Sequence, residues 1–257
     1  LKASVLTSAT VHQVAHDAEA GRVDVAVISG SDVHFTIDAF SSEPAELIFH
    51  RRSGDASTWE RTSLTMDQRQ IVVEGVNKDC DVYFSLAGHE TPRFHVAAVS
   101  YPRIETVQVR YRFPAYTRLK PEFIPRSDGS LRVLAMTEAQ VTVIADKPLR
   151  NAVFNVYGKR VGARTHGRRA TTRFVVTRNG DYSLELTDRH GFKPQGDWRK
   201  TIEAIADQAP QVTVEGPDEQ LLTAPQTKGL SVMLEAEDDY GVAAVRLKYK
   251  LSALEQI

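Results

Sequence analysis

The sequence predicts an all-β chain of tandem antiparallel β sandwiches, preceded by a short helical or irregular segment. Three observations carry this. Apolar residues alternate with period two in many short stretches, Gly, Pro, Asn and Asp clusters punctuate them, and the pattern repeats along the chain. At 257 residues, with 42% hydrophobic and 25% charged residues, the chain has ordinary globular composition.

Residues 3–20 are the one stretch with helical spacing. Val5, Leu6, Val11, Val14 and Ala15 fall roughly on one helical face, and Gly21 stops the pattern. Residues 1–22 are therefore expected to form an N-terminal connecting segment. From Val23 onward the signal is strand. Residues 32–38 alternate cleanly, as do 45–49, 141–145, 153–157, 174–176 and 230–234.

The repeat sets the domain boundaries. Val33-His34-Phe35-Thr36-Ile37 is followed, after Pro44, by Ala45-Glu46-Leu47-Ile48-Phe49. A shift of 108 residues brings up Val141-Thr142-Val143-Ile144-Ala145, followed after Pro148 by Ala152-Val153-Phe154-Asn155-Val156. A third copy starts at Leu230-Ser231-Val232-Met233-Leu234 and continues at Val245-Arg246-Leu247-Lys248-Tyr249. Later strands match as well: residues 81–86 parallel 180–186, and Phe94-His95-Val96-Ala97 parallels Thr201-Ile202-Glu203-Ala204. The expected units are a sandwich over 23–102, a second over 103–208, and the first half of a third over 209–257. A half sandwich exposes its inner apolar face, so the last stretch is expected to pack poorly unless something completes it. In Ig-like sandwiches a Tyr near the start of strand F turns its hydroxyl back onto nearby backbone. Tyr182, with Leu184 and Leu186 after it, fits that tyrosine corner, and the units are therefore read as Ig-like.

The net charge of −1 conceals a pattern. Residues 1–102 carry 8 basic and 14 acidic groups (−6), residues 103–208 carry 20 and 11 (+9), and residues 209–257 carry 4 and 8 (−4). The densest basic stretch holds Lys159, Arg160, Arg164, Arg168 and Arg169, expected on a hairpin loop. The simpler reading is a solvated loop facing acidic neighbours. The sharper one is an anion site, with an acidic glycan as its ligand. No aromatic side chains interleave with these cations as a nucleic-acid stacking platform requires, so no nucleic-acid partner is expected.

Other chemistry is sparse. Cys80 is the lone cysteine, which excludes an internal disulfide and a Cys-based zinc site. The sequence lacks the Gly-x-Ser-x-Gly elbow, a phosphate-cradling Gly-rich loop and His-Glu-x-x-His. No residue is nominated as catalytic. His12 and His16 stand four apart beside Asp17, a spacing that coincidence explains well. The carboxylates Glu235, Glu237, Asp238 and Asp239, and the turns Asp188-Arg189-His190-Gly191 and Asp238-Asp239-Tyr240-Gly241, fit Asp supporting a tight turn better than calcium binding. Asp207-Gln208-Ala209-Pro210 resembles the cadherin linker in that stretch alone. No metal or cofactor is expected. Trp59 follows a polar loop and is a candidate for stacking on a sugar ring; covering the end of the core is its simpler role. No run of about 18 apolar residues offers a membrane span.

Several stretches in order resemble one family. They are Gly30-Ser31-Asp32-Val33, Trp59 with Met66 seven residues on, Pro102, Tyr111-Arg112-Phe113-Pro114-Ala115-Tyr116-Thr117, Lys147-Pro148-Leu149, Asp207 to Pro210, and Asp238-Asp239-Tyr240-Gly241. Together they look like the tandem Ig-like region of large bacterial membrane-anchored proteins of unknown function. The resemblance implies an extracytoplasmic position, periplasmic or at the cell surface, with the membrane reached through an anchor outside this segment. It implies no activity. A start at Leu1 fits a trimmed segment. The expected role is a non-catalytic spacer, adhesion or scaffold module that binds protein partners; the alternative is a carbohydrate- or anion-binding module using the basic stretch of the second unit.

Overall fold

The computed structural model describes residues 1–17, 21–38, 45–65, 67, 69–215 and 232–248. Pro44, Met66, Leu230, Ser231 and Tyr249, which entered the repeat and the family resemblance, lie outside the described residues.

The first unit holds β1 (Lys2–Val5), β2 (Val11–Asp17), β3 (Arg22–Ile28), β4 (Ser31–Asp38), β5 (Leu47–Ser53), β6 (Glu60–Leu64), β7 (Gln70–Val76), β8 (Cys80–Leu86), β9 (His89–Glu90) and β10 (Arg93–Val99). One sheet runs β1-β4-β7; the other runs β2-β3-β10-β8-β5-β6, with β9 beside β8. Alternation decides which side faces in. On β4, Val33, Phe35 and Ile37 are fully buried while His34 between them is exposed. Phe35 meets Phe84 and Phe94 of the opposing sheet edge-on, with centroids 5.9 and 5.1 Å apart. Each such buried ring contributes about 1.5–3 kcal/mol relative to exposure.

The second unit holds β11 (Ile104–Arg112), β12 (Glu122–Ser127), β13 (Leu131–Leu134), β14 (Glu138–Ala145), β15 (Leu149–Val156), β16 (Lys159–Gly162), β17 (Arg164–His166), β18 (Arg169–Val175), β19 (Gly180–Asp188) and β20 (Trp198–Ile205). Its sheets run β12-β11-β14-β18-β17 and β13-β20-β19-β15-β16. Val109, Val141, Val143, Phe154 and Tyr182 fill the space between them. In each unit a strand near the start pairs parallel with the last one, β3 with β10 and β13 with β20. The other pairings are antiparallel. This is a tandem of Ig-like β sandwiches.

The third copy contributes β21 (Gln211–Glu215) paired antiparallel with β22 (Met233–Glu237). It corresponds to β1 with β4 and to β11 with β14. Val107, Val109, Val141 and Val143 on the β11–β14 pair are all buried. Val212 and Val214 of β21 are 56% and 57% exposed. Among the described residues, 241–248 form no strand, so the expected second strand over 245–249 is not seen there.

Three expectations need correction. Residues 1–22 are not a helical or irregular connector: β1 and β2 are integral strands, and Val5 and Val11 are core residues. The β2–β3 register slips between Gln13 and Ala15. That bulge inserts one residue and breaks the alternation, so Val11, Val14 and Ala15 imitate helical spacing. Second, Tyr182 does not turn back onto its own corner. Its hydroxyl donates to the carbonyl of Gly129, 53 residues away in the connection between β12 and β13; burial raises the phenol's pKa well above its ordinary value. The pairs Phe49↔Phe84 and Val156↔Tyr182 make Phe84, not Tyr83, its counterpart. Third, the basic stretch is not a hairpin loop. It forms β16 on one sheet and β17 on the other, with the chain changing sheets at Ala163. Val161 and Ala163 pack against the core and pin the crossing.

Candidate functional site

The sheet change separates the five basic residues. Lys159 and Arg160 lie on β16, at the edge of one sheet. Arg164 lies on β17, Arg169 starts β18, and Arg168 sits in the turn between them, all on the other sheet. All five are exposed. Arg168 reaches Glu105 at 3.4 Å. The other four have no acidic partner among the described residues.

Trp59 leads into β6 and is half-buried. Its ring stands edge-on to Tyr83 at 4.8 Å and 82°. The Arg52 guanidinium lies 4.8 Å from the indole centroid and that of Arg93 lies 5.8 Å away. Tyr83 in turn stacks on His50 at 4.1 Å and 3°. The indole is thus engaged by the protein's own cations and aromatics on the outer face of β5, β8 and β10. Asp81 ties the cluster together, accepting from Arg52 at 2.5 Å and from His95 Nδ1 at 2.8 Å. Burial pushes the Asp81 carboxyl up, but these hydrogen bonds and the charges behind them outweigh it and leave it below its usual value. Burial, with the Arg61 charge, lowers the His50 pKa.

The structure brings together a group that the sequence does not mark: the joint between the first two units. Phe192 follows the turn after β19 and is 1% exposed. It packs with Ala26 and Ile28 of β3 and with Val99 and Tyr101. His12 of β2 stacks on it at 4.3 Å and 12°, and His12 Nδ1–H donates to the His190 carbonyl at 3.0 Å. Asp188 builds the turn, its Oδ1 accepting from the backbone N–H of His190 and of Phe192, both at 2.9 Å. Gly191 is required at its position. Its φ is +92°, and a Cβ there would lie 2.8 Å from His12 Nδ1. Lys147 Nζ donates to the Ser100 hydroxyl at 3.0 Å and to the Ser100 carbonyl. Asp146 accepts the Arg103 N–H at 2.9 Å. His12, a metal candidate by spacing, is thus a joint residue on a strand. Asp238 Oδ1 likewise accepts the Tyr240 N–H at 2.9 Å, an ordinary Asx turn. The one available signal for the joint was an aromatic residue inside the polar run Arg189-His190-Gly191-Phe192-Lys193.

Burial also raises the Cys80 thiol pKa, so the lone cysteine is kept as a protonated core residue. Among the described residues, no helix is long and apolar enough to cross a membrane.

No family model matches the chain, and no curated protein matches it. Among solved structures it is similar to the N-terminal four Ig domains of Dscam1 isoform 1.9. The TM-score there is 0.32 at 9% identity, covering 76% of this chain and 46% of that one. It is also similar to Sidekick-1 immunoglobulin domains 1–5, with TM-score 0.24 and 12% identity over 82% of this chain and 63% of that one. A Bacteroides ovatus mixed-linkage glucan utilization locus protein, SGBP-B in complex with a heptasaccharide, matches with TM-score 0.21 and 9% identity over 81% of this chain and 50% of that one. The chain spans about half the length of the Dscam1 fragment. The likeness is one of sandwich architecture alone.

Proposed function

We propose that this chain is a non-catalytic structural and protein-interaction module: a spacer, adhesion or scaffold segment of a bacterial cell-envelope protein. Its place is extracytoplasmic, periplasmic or at the cell surface, with the membrane reached through an anchor outside residues 1–257. The observation that supports this most is the joint. A buried aromatic plug, a ring stack and hydrogen bonds from both sides hold two consecutive sandwiches in one relative orientation, which is what a load-carrying or distance-setting element needs. The domain division that goes with it is one sandwich up to residue 102, now including residues 1–22, a second over 103–208, and the first half of a third over 209–257.

Spin-label distance measurements between Glu46 and Glu185 test the spacer reading. One narrow distribution is expected; a broad one, as for freely linked domains, refutes it. Protease digestion of spheroplasts tests the location: cleavage of the chain is expected with the inner membrane intact, and protection under those conditions rules out an extracytoplasmic position.

A second reading has its own observation. Lys159, Arg160, Arg164 and Arg169 are exposed without acidic partners among the described residues, as expected of cations reserved for an acidic glycan. Heparin retention that falls steeply with salt, and is lost in the Arg164→Ala, Arg168→Ala, Arg169→Ala triple variant, supports it. Absence of retention at low salt ends it.

A further inference from the structure

The joint does not close completely. Beside the Phe192 plug lies a cleft of about 690 Å³, walled by both units and by the short connection between them. Its volume falls within the range of small-molecule sites, about 300–1,000 Å³. A second hollow of about 600 Å³ shares two of its walls, Ile104 and Trp198. Trp198 therefore borders both spaces, and the pair suits an extended ligand better than a compact one.

The lining has a particular chemistry. Two amphipathic aromatics border the cleft, Tyr101 from the connection and Trp198 from β20. Both are half-buried and held in place by other rings. Tyr101 meets Phe192 edge-on at 6.4 Å and Trp198 meets Tyr182 edge-on at 5.4 Å. Between them stand Arg103, Gln195 and Asp197, all exposed. Their side chains make no hydrogen bond or ion pair among the described residues. Arg offers donors only, ionised Asp acceptors only, and Gln both. A ligand that satisfies all three must donate and accept along its length, which hydroxyl groups do. The opposite charges of Arg103 and Asp197 disfavour a strongly anionic or cationic ligand. The polarised C–H face of a sugar ring is attracted to the negative face of an aromatic ring. We infer that the inter-unit cleft binds a neutral oligosaccharide, with Trp198 and Tyr101 as its stacking surfaces and Arg103, Gln195 and Asp197 as its hydrogen-bonding groups.

The joint makes this site pre-formed. Lys147 bonded to Ser100 and Asp146 bonded to the Arg103 N–H fix the connection against the second unit, and His12 bonded to the His190 carbonyl ties the first unit to it, so little ordering is left to oppose binding. The site is distinct from the basic strands and from the Trp59 cluster, and it goes beyond a spacer role: the same contacts that join the two units shape a receptor between them.

The test uses the Trp59→Phe variant of the full chain, in which Trp198 is the sole tryptophan. It is titrated with cellohexaose, maltohexaose, mannohexaose and chitohexaose, and the affinities are confirmed calorimetrically. A saturable change in Trp198 emission with at least one of the four is expected. Asp197→Ala and Gln195→Ala, on an exposed loop, are expected to weaken that binding about tenfold each without lowering the melting temperature. Trp198→Ala is expected to abolish it, with circular dichroism checking the fold. No response to any of the four sugars at millimolar concentration overturns the inference. So does binding that survives Asp197→Ala and Trp198→Ala unchanged, or a Trp198 response to a peptide library with none to the sugars. The spin-label distances report on the spacer independently of all these outcomes.

Discussion

Replacing Phe192 by alanine removes the plug between the first two units. The side chain is 1% exposed and packs on Ala26, Ile28, Val99 and Tyr101, with His12 stacked against it. Truncating a buried Phe costs about 3–5 kcal/mol, the lost ring stack being part of it. That energy is shared across the joint, because Phe192 belongs to the second unit while much of its surroundings, from β2 and β3, belongs to the first. The two tryptophans make the loss measurable. Trp59 reports on the first unit and Trp198 on the second, so Trp59→Phe and Trp198→Phe backgrounds each follow one unit through urea unfolding. A loss of about 4 kcal/mol against an m value of about 2 kcal/mol/M lowers a midpoint by about 2 M urea. In the parent chain the two transitions are expected to coincide. With Phe192→Ala they are expected to separate, the first unit falling to lower urea as Ala26 and Ile28 become exposed. His12→Ala, which keeps the ring but loses the stack and the hydrogen bond to His190, is expected to lower the midpoint by a smaller amount. If both reporters keep their midpoints in Phe192→Ala, the joint is not held by this ring.

Three further outcomes follow from the same contacts. Burial lowers the pKa of both His50 and His190 below 6.5; the unfolded chain takes up these protons near 6.5 while the folded chain resists. Stability is therefore complete above that value and falls as the pH drops below it through the depressed folded values. Melting temperatures between pH 7.5 and 5 are expected to show this, with a flatter slope in His50→Phe; a slope unchanged by that substitution refutes the assignment for His50. Tyr182→Phe leaves the Gly129 carbonyl without its hydroxyl donor and is expected to cost about 1–3 kcal/mol in chemical denaturation, whereas an unchanged midpoint shows that the hydrogen bond is dispensable. Cys80, 2% exposed with its thiol pKa raised by burial, is expected to react with Ellman's reagent only after unfolding, and rapid labelling of the native chain contradicts its burial.

Alternation made the sandwiches legible. Val33, Phe35 and Ile37 read as one buried face, and the 108-residue shift found their counterparts Val141, Val143 and Ala145. Where the pattern is locally broken, the reading fails for a definable reason. The bulge after Gln13 turned a strand into an apparent helix. Charge density suggested a loop where Val161 and Ala163, only partly buried, anchor a strand that changes sheets. Tyr182 and Tyr83 matched by residue type, but pairing register placed one inside the sandwich and the other on its outer face. The joint left one trace, Phe192 within a polar run, and its partners were not legible. His12 and His190 are 178 residues apart, and no local pattern states that a strand residue will stack on a distant turn. The cleft escaped for the same reason, since its walls come from separated segments that only the joint brings into register.

The parallel seams have a consequence under tension. In each unit an early strand lies beside the last one and runs the same way: Arg22–Ile28 against Arg93–Val99, and Leu131–Leu134 against Ile202–Ile205. A force that draws the chain apart along its length pulls such strands past each other. Their hydrogen bonds are then loaded side by side in shear, and they must rupture together instead of unzipping one at a time. A chain under tension would therefore carry two mechanical clamps of unequal length, and the shorter one, in the second unit, would be the first to slip.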